Sequence, residues 1–191
     1  MEAVAYSDRF SSWLLKETTM KATWILMLLL MIFTSFSCRK DDRVSLMAES
    51  LTTCPPGSDC RYLFLEHADV NTDFIGFTSG SYRLFWSVVE DKFTSTRIYI
   101  KAPMADDGFV LGKSEILAGR VKLIQTCMHC NSIYLKPVDG YVKGTNVTPD
   151  KPADQTKWFL EIKLYLESEG KPLAKDTINV SQYFHPNFVY N

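Results

Sequence analysis

The sequence predicts an all-β domain, a sandwich or barrel of roughly seven to nine short strands. A cleaved export signal and a flexible linker precede it. Three observations lead there. Phe, Tyr and Trp make up 13% of the 191 residues, and aromatic side chains favour strands and large buried contacts. From Arg61 onward, short apolar or alternating runs recur between Gly, Pro, Asn and Asp, the punctuation of a strand-and-turn chain. Helical periodicity is scarce, confined to Lys113–Leu117 and part of Asp41–Leu51.

The strands follow in order. Tyr62–Glu66 is the first. Asp73–Phe77 is the second, ended by Ser79 and Gly80. Tyr82–Glu90 is long and aromatic. Thr96–Lys101 alternates polar with apolar, the mark of a half-buried strand, and Pro103 ends it. Phe109–Leu111 runs up to Gly112. Arg120–Thr126 alternates again, and Ser132–Lys136 is expected to pair with it across a cysteine-bearing turn. Gly140–Gly144 follows another turn. Thr145–Gln155 is polar and contains Pro, a loop. Trp158–Leu166 is the strongest strand signal, with Phe159, Glu161, Lys163 and Tyr165 opposing Trp158, Leu160, Ile162, Leu164 and Leu166. Thr177–Val180 and Gln182–Phe184 close the domain. No internal repeat or low-complexity tract interrupts this pattern.

Composition narrows the class. With 46% apolar and 23% charged residues, the balance is that of a folded globular chain long enough for one core. A net charge of -1 gives none of the basic footprint that nucleic-acid binding requires.

The N-terminal third has a different logic. Lys21 precedes a wholly apolar run, Trp24–Phe33, followed by Thr34, Ser35 and Ser37 and then Cys38. Charge, apolar stretch and small residues are the order of a secretory signal. The run is short of the roughly 20 residues that a transmembrane helix needs, so cleavage is expected over permanent spanning. Met20-Lys21 begins such a signal unaided. Residues 1–19 are therefore read as a misassigned start or an extended n-region, 20–37 as the signal, 38–60 as an anchored linker and 61–191 as the β domain.

Ser35-Phe36-Ser37-Cys38 resembles a bacterial lipobox of the looser kind found in the Bacteroidota. The resemblance covers about two dozen residues and concerns the signal, not the domain. It implies acylation of the Cys38 sulfur, cleavage before Cys38 and acylation of the freed amino group. Several acyl chains on one residue give stable membrane attachment, whereas one chain gives only marginal binding. Lys40-Asp41-Asp42, just behind the anchor, resembles the surface-export signal of the same phylum, which implies an outer-membrane protein displayed at the cell surface. A solvated linker is the plainer reading of those charges. Asp176-Thr177-Ile178 resembles that phylum's short O-glycosylation motif at Thr177, with a strand start as the plainer reading.

With Cys38 lipidated, four cysteines remain: Cys54, Cys60, Cys127 and Cys130. An even number in an exported chain reads as disulfides. Three pairings exist, and the local one, Cys54–Cys60 with Cys127–Cys130, comes first because Pro55-Pro56-Gly57 folds a chain back on itself. Other chemistries fit less well. A redox motif opens a helix, but Ser132 onward reads as strand. Haem attachment needs His directly after the second Cys, and position 131 is Asn. Four thiolates suit zinc, yet the Cys54 to Cys60 spacing exceeds the usual one.

No nucleophile elbow, phosphate loop or paired-histidine zinc motif is present. His67, His129 and His185 lie far apart in sequence. Asp69 and Asp73 near His67 suit a metal, and Asp106-Asp107-Gly108 suits Ca²⁺, but turn residues account for both. Glu90-Asp91 and Glu167 with Glu169 fall where strands end. No cofactor or metal is expected. The sequence therefore points to a non-enzymatic binding module whose partners are the membrane, through Cys38, and a glycan or an envelope protein. A structural accessory of the envelope is the alternative. A hydrolase with a dispersed site ranks third and requires His67 and His185 to converge beside a carboxylate.

Overall fold

The computed structural model describes residues 51–71, 76–128, 134–168 and 174–187, all within the unit Val44–Asn191. It is an all-β fold. The described strands are β1 (Asp59–Asn71), β2 (Gly76–Ser79), β3 (Tyr82–Glu90), β4 (Thr94–Pro103), β5 (Gly108–Leu111), β6 (Val121–Cys127), β7 (Leu135–Asn146), β8 (Trp158–Ser168) and β9 (Lys175–Pro186). One helical turn, Lys113–Glu115, leads into a wider turn, Ile116–Arg120, between β5 and β6. Gly119 there takes φ 79°, a left-handed conformation that costs glycine little.

The strands make one open mixed sheet in the order β5-β7-β8-β9-β1-β3-β4-β6, with β2 paired to β1 off this path. Seven of them (β1, β3, β4, β6, β7, β8, β9) follow one another up and down. An odd number of alternating strands leaves the first and last pointing the same way. The β9–β1 contact is accordingly parallel, and it is brief: Leu63 with His185 and Phe64 with Pro186. Alongside β9, the chain leading into β1 supplies further bonds. The Thr52 amide donates to the Ser181 carbonyl at 2.9 Å, and the Ser181 amide donates to Thr52 Oγ1 at 2.8 Å.

The sheet is curled, and its concave face is the core. Phe85 of β3 is fully buried at its centre. Its ring lies 5.4 Å from Phe64, 5.5 Å from both Phe109 and Trp158, and 5.7 Å from Phe184. Strands from both halves of the sheet thus meet on one aromatic side chain. Each such side chain contributes about 1.5–3 kcal/mol by leaving water. Gly144 belongs to this packing, because a Cβ there would collide with the Phe109 ring.

Several details depart from the expected strands. β6 pairs with β4, and β7 pairs with β5 and β8. Among the described residues no ladder joins β6 to β7, so the expected hairpin across the cysteine turn does not form there. β7 also runs straight through Gly140 instead of turning before it. A bulge between Pro137 and Asp139 absorbs the break. Gly140 has φ 126°, and a Cβ there would strike the Lys163 carbonyl. The two short closing strands are one strand, β9. β1 has 13 residues and extends Tyr62–Glu66 at both ends; a bulge between Leu65 and Ala68, with His67 at φ 55°, redirects its second half onto β2.

Candidate functional site

The anticipated residues fall in different places. Cys38, Lys40, Asp41, Asp42, His129 and Cys130 lie outside the described residues. Cys54 and Cys60 form a disulfide, with Cα atoms 5.9 Å apart. The turn between them places Gly57 at φ 79° behind Pro56, and the Ser58 amide donates to the Pro55 carbonyl at 3.1 Å. This is the geometry that a Pro-Gly centre favours. Cys60 sits inside β1, so the disulfide ties the edge of the domain to its own lead-in. Cys127 is also disulfide-bonded, and its partner lies outside the described residues. Thr177 is exposed on β9, in register with Tyr165 of β8.

His67 and His185 do not converge. His185 is in register with Leu63, and His67 lies four residues further along β1, roughly 13 Å of strand away. Burial and the nearby Lys157 charge pull the His185 pKa down. Asp69 engages Lys101 and Glu90 engages Arg61 and Arg97, while Glu167 meets Lys175 at 3.0 Å. The hydrogen bond from Arg97 holds Glu90 below the usual carboxylate range. Asp107 accepts from the Asn146 side chain at 2.9 Å, which is turn chemistry. Among the described residues no three His, Cys, Asp or Glu gather as metal ligands would.

One concavity lies between β6 and β7, which no ladder joins among the described residues. β6 and the first residues of β7 flank a groove of about 550 Å³. Each strand is laddered on its far side, to β4 and to β8 respectively. Val121 and Leu123 of β6 point into the curl with Ile116 from the preceding turn. Leu135 meets them from β7. These four form an apolar floor. Ile116 and Val121 are buried, whereas Leu123 and Leu135 are partly open. At the rim, Leu117 is 61% and Tyr134 is 77% exposed. Both line the same groove. Lys122, Lys136 and Gln125 supply the polar lining. Pro137 carries no amide hydrogen, which suits a strand lying at an edge.

Among the described residues, Lys122 and Lys136 are the charged members of the lining, and no ladder joins β6 to β7. An unpaired strand edge is the setting in which an added extended segment gains backbone hydrogen bonds.

None of these lining residues stood out in the sequence. The alternation of Val121, Leu123 and Gln125 signals a half-buried strand, but pairing on only one side leaves no trace in composition. Compared with protein families, curated proteins and solved structures, the chain matches none.

Proposed function

We propose that this protein is an envelope-tethered binding module that receives an extended segment of a partner envelope polypeptide in the groove between β6 and β7. The anchor in this reading is the acylated Cys38, with export to the outer membrane, at the cell surface, directed by the segment around it. The observation that carries the binding role is the unladdered seam with its apolar floor and exposed Leu117 and Tyr134. An incoming strand would complete the ladder while its alternate side chains enter the floor.

A glycan is the second reading, supported by Tyr141 and Tyr165 on the outer face of β7 and β8. Tyr165 is 43% exposed. Those rings are already approached by Lys143 at 4.9 Å and Lys163 at 5.4 Å, which leaves less open face for a sugar to stack on. The polypeptide reading is therefore preferred.

The test uses a photo-crosslinking residue at Leu117 or at Tyr165, in the native envelope. Crosslinks to a polypeptide from 117 but not from 165, lost with Leu123→Glu, are expected. Crosslinks only from 165, or signal on a glycan array instead, would overturn the groove assignment. Intact mass settles the anchor separately. A chain starting at Cys38 plus acyl groups is expected, and an unlipidated, uncleaved mass would refute it.

A further inference from the structure

The turn between β3 and β4 and the end of β6 form a tip, none of whose residues lines the seam. Thr94 of β4 is in register with Cys127 of β6, and the Met128 amide donates to the Phe93 carbonyl at 3.1 Å. Phe93 and Met128 are therefore neighbours. Phe93 is 51% exposed and Met128 is 78% exposed.

Asp91 fixes the shape of this turn. Its carboxylate accepts from the Phe93 and Thr94 amides at 2.7 Å each and from the Thr94 hydroxyl at 2.8 Å. The Asp91 amide donates to the Thr94 carbonyl at 2.9 Å. The acidic group of the turn is thus engaged by the turn itself, and the loop is ordered before anything meets it. Such ordering lowers the entropy cost of docking. Lys92 completes the tip, its ammonium 5.3 Å from the Phe93 ring centroid. An aromatic ring, a thioether chain and an ammonium on one small surface suit the boundary of a lipid layer. Apolar groups enter the acyl boundary there, while the ammonium stays among the headgroups.

The chain enters the domain beside this tip. Cys54 is bonded to Cys60 at the start of β1, and the adjacent Asp59 is in register with Glu90, the last residue of β3. Leu51 lies thirteen positions after Cys38. A chain spans at most about 3.6 Å per residue, which keeps Leu51 within roughly 45 Å of an acylated Cys38. We propose, resting on the lipid anchor at Cys38, that the Phe93–Met128 tip inserts into the phospholipid surface carrying that anchor and sets the orientation of the domain on it. A single acyl chain holds a protein only marginally, and these two side chains bury less apolar surface than one such chain. The tether makes their contact intramolecular, so a contact too weak to hold the free protein still orients the anchored one.

The test uses the full chain extracted from its native membrane and reconstituted into vesicles of phosphatidylethanolamine and phosphatidylglycerol. Phe93→Trp places a reporter at the tip. Trp86 and Trp158 are buried, and Trp13 and Trp24 precede the expected cleavage site, so the added emission is read by difference from the parent. Val110→Trp is the control. Val110 is 65% exposed, and β4 runs from the tip to Pro103, beyond which β5 begins. Nitroxide-labelled lipid should quench the Phe93→Trp emission and vesicles should shift it to shorter wavelength. Quenching should be stronger with the nitroxide near the headgroup than near the chain end. Val110→Trp should show neither effect, and adding Met128→Glu to Phe93→Trp should remove most of the quenching. Flotation with the vesicles reads the anchor, and quenching reads the tip. Protein that floats, with Phe93→Trp quenched no more than Val110→Trp, would overturn the tip and leave the anchor standing. A wavelength shift without quenching would assign the tip to a second copy of this chain and overturn the lipid contact equally. Protein that does not float loses the anchor, and the proposal falls with it.

Discussion

The two outer faces of the curled sheet differ in kind. Outside β3 and β4, Leu84, Trp86, Val88 and Tyr99 are all buried, forming a second apolar cluster behind the sheet. Phe77 of β2 lies over them, its ring 4.6 Å from Trp86. Outside β7 and β8, the corresponding positions are Tyr141, Lys143, Glu161, Lys163 and Tyr165, partly or largely in solvent. The strands announce this difference in their patterns. Arg83–Val88 is buried at every position, whereas β8 alternates from Leu160 to Leu166. A continuous apolar run means burial on both faces, and alternation means one face wet. The β1 bulge at His67 serves the first case, because it brings β2 and Phe77 over a face that would otherwise be exposed.

Substitutions can break this comparison, beginning with the largest expected effect. Phe85→Ala on the concave side should cost about 3–5 kcal/mol in chemical denaturation. Trp86→Ala, on the opposite side of the same strand, should fall in the same range if the outer cluster is a true second core. A cost below about 1 kcal/mol would show that the outer face of β3 and β4 is solvated in solution. Tyr165→Ala on the back should stay within about 0.5 kcal/mol, as for ordinary surface positions. Gly140→Ala should cost at least about 2 kcal/mol, since the backbone conformation and the Lys163 carbonyl both oppose a side chain. A near-neutral result would mean that β7 relaxes at its bulge.

Smaller effects sharpen the picture at the sheet margins. Replacing Cys54 and Cys60 by Ser should lower stability by about 2 kcal/mol, the chain-entropy value for so short a loop. Hydrogen exchange should then rise first at the Ser181 amide, which Thr52 accepts. The smallest effect concerns pH. Glu90 has its pKa lowered in the fold, chiefly by the Arg97 hydrogen bond. Its contribution is present above the ordinary Glu value of about 4.3 and lost as pH falls through the lower, folded value. For so accessible a pair the contribution is a few tenths of a kcal/mol. Glu90→Gln should flatten the acid limb of the stability curve slightly, and an unchanged limb would remove Glu90 from the account.

Much of the strand pattern was legible in the sequence. Tyr82–Glu90 and the start of β8 at Trp158 coincide with the structure because their apolar runs are bounded by Gly, Asp and Pro-bearing loops. The merging of Gly140–Gly144 into β7 was not legible. A glycine after Pro137 reads locally as a turn, but here it relieves a clash with the neighbouring strand, a contact 23 residues away in sequence. Of the candidate site, only the strand character of β6 was visible.

The residue order by itself determined that this chain is β-rich, where its longer strands lie and which of them is buried on one face or two. Those are local properties, set by side-chain period and by the backbone limits of Gly and Pro. Only the tertiary structure decided which edges meet. Among the described residues β6 and β7 are neighbours in the chain but not in the ladder, and Arg83 reaches Trp158 across 75 residues. The ladders that hold β6 to β4 and the contact between Arg83 and Trp158 join residues distant in the chain, which no local period encodes.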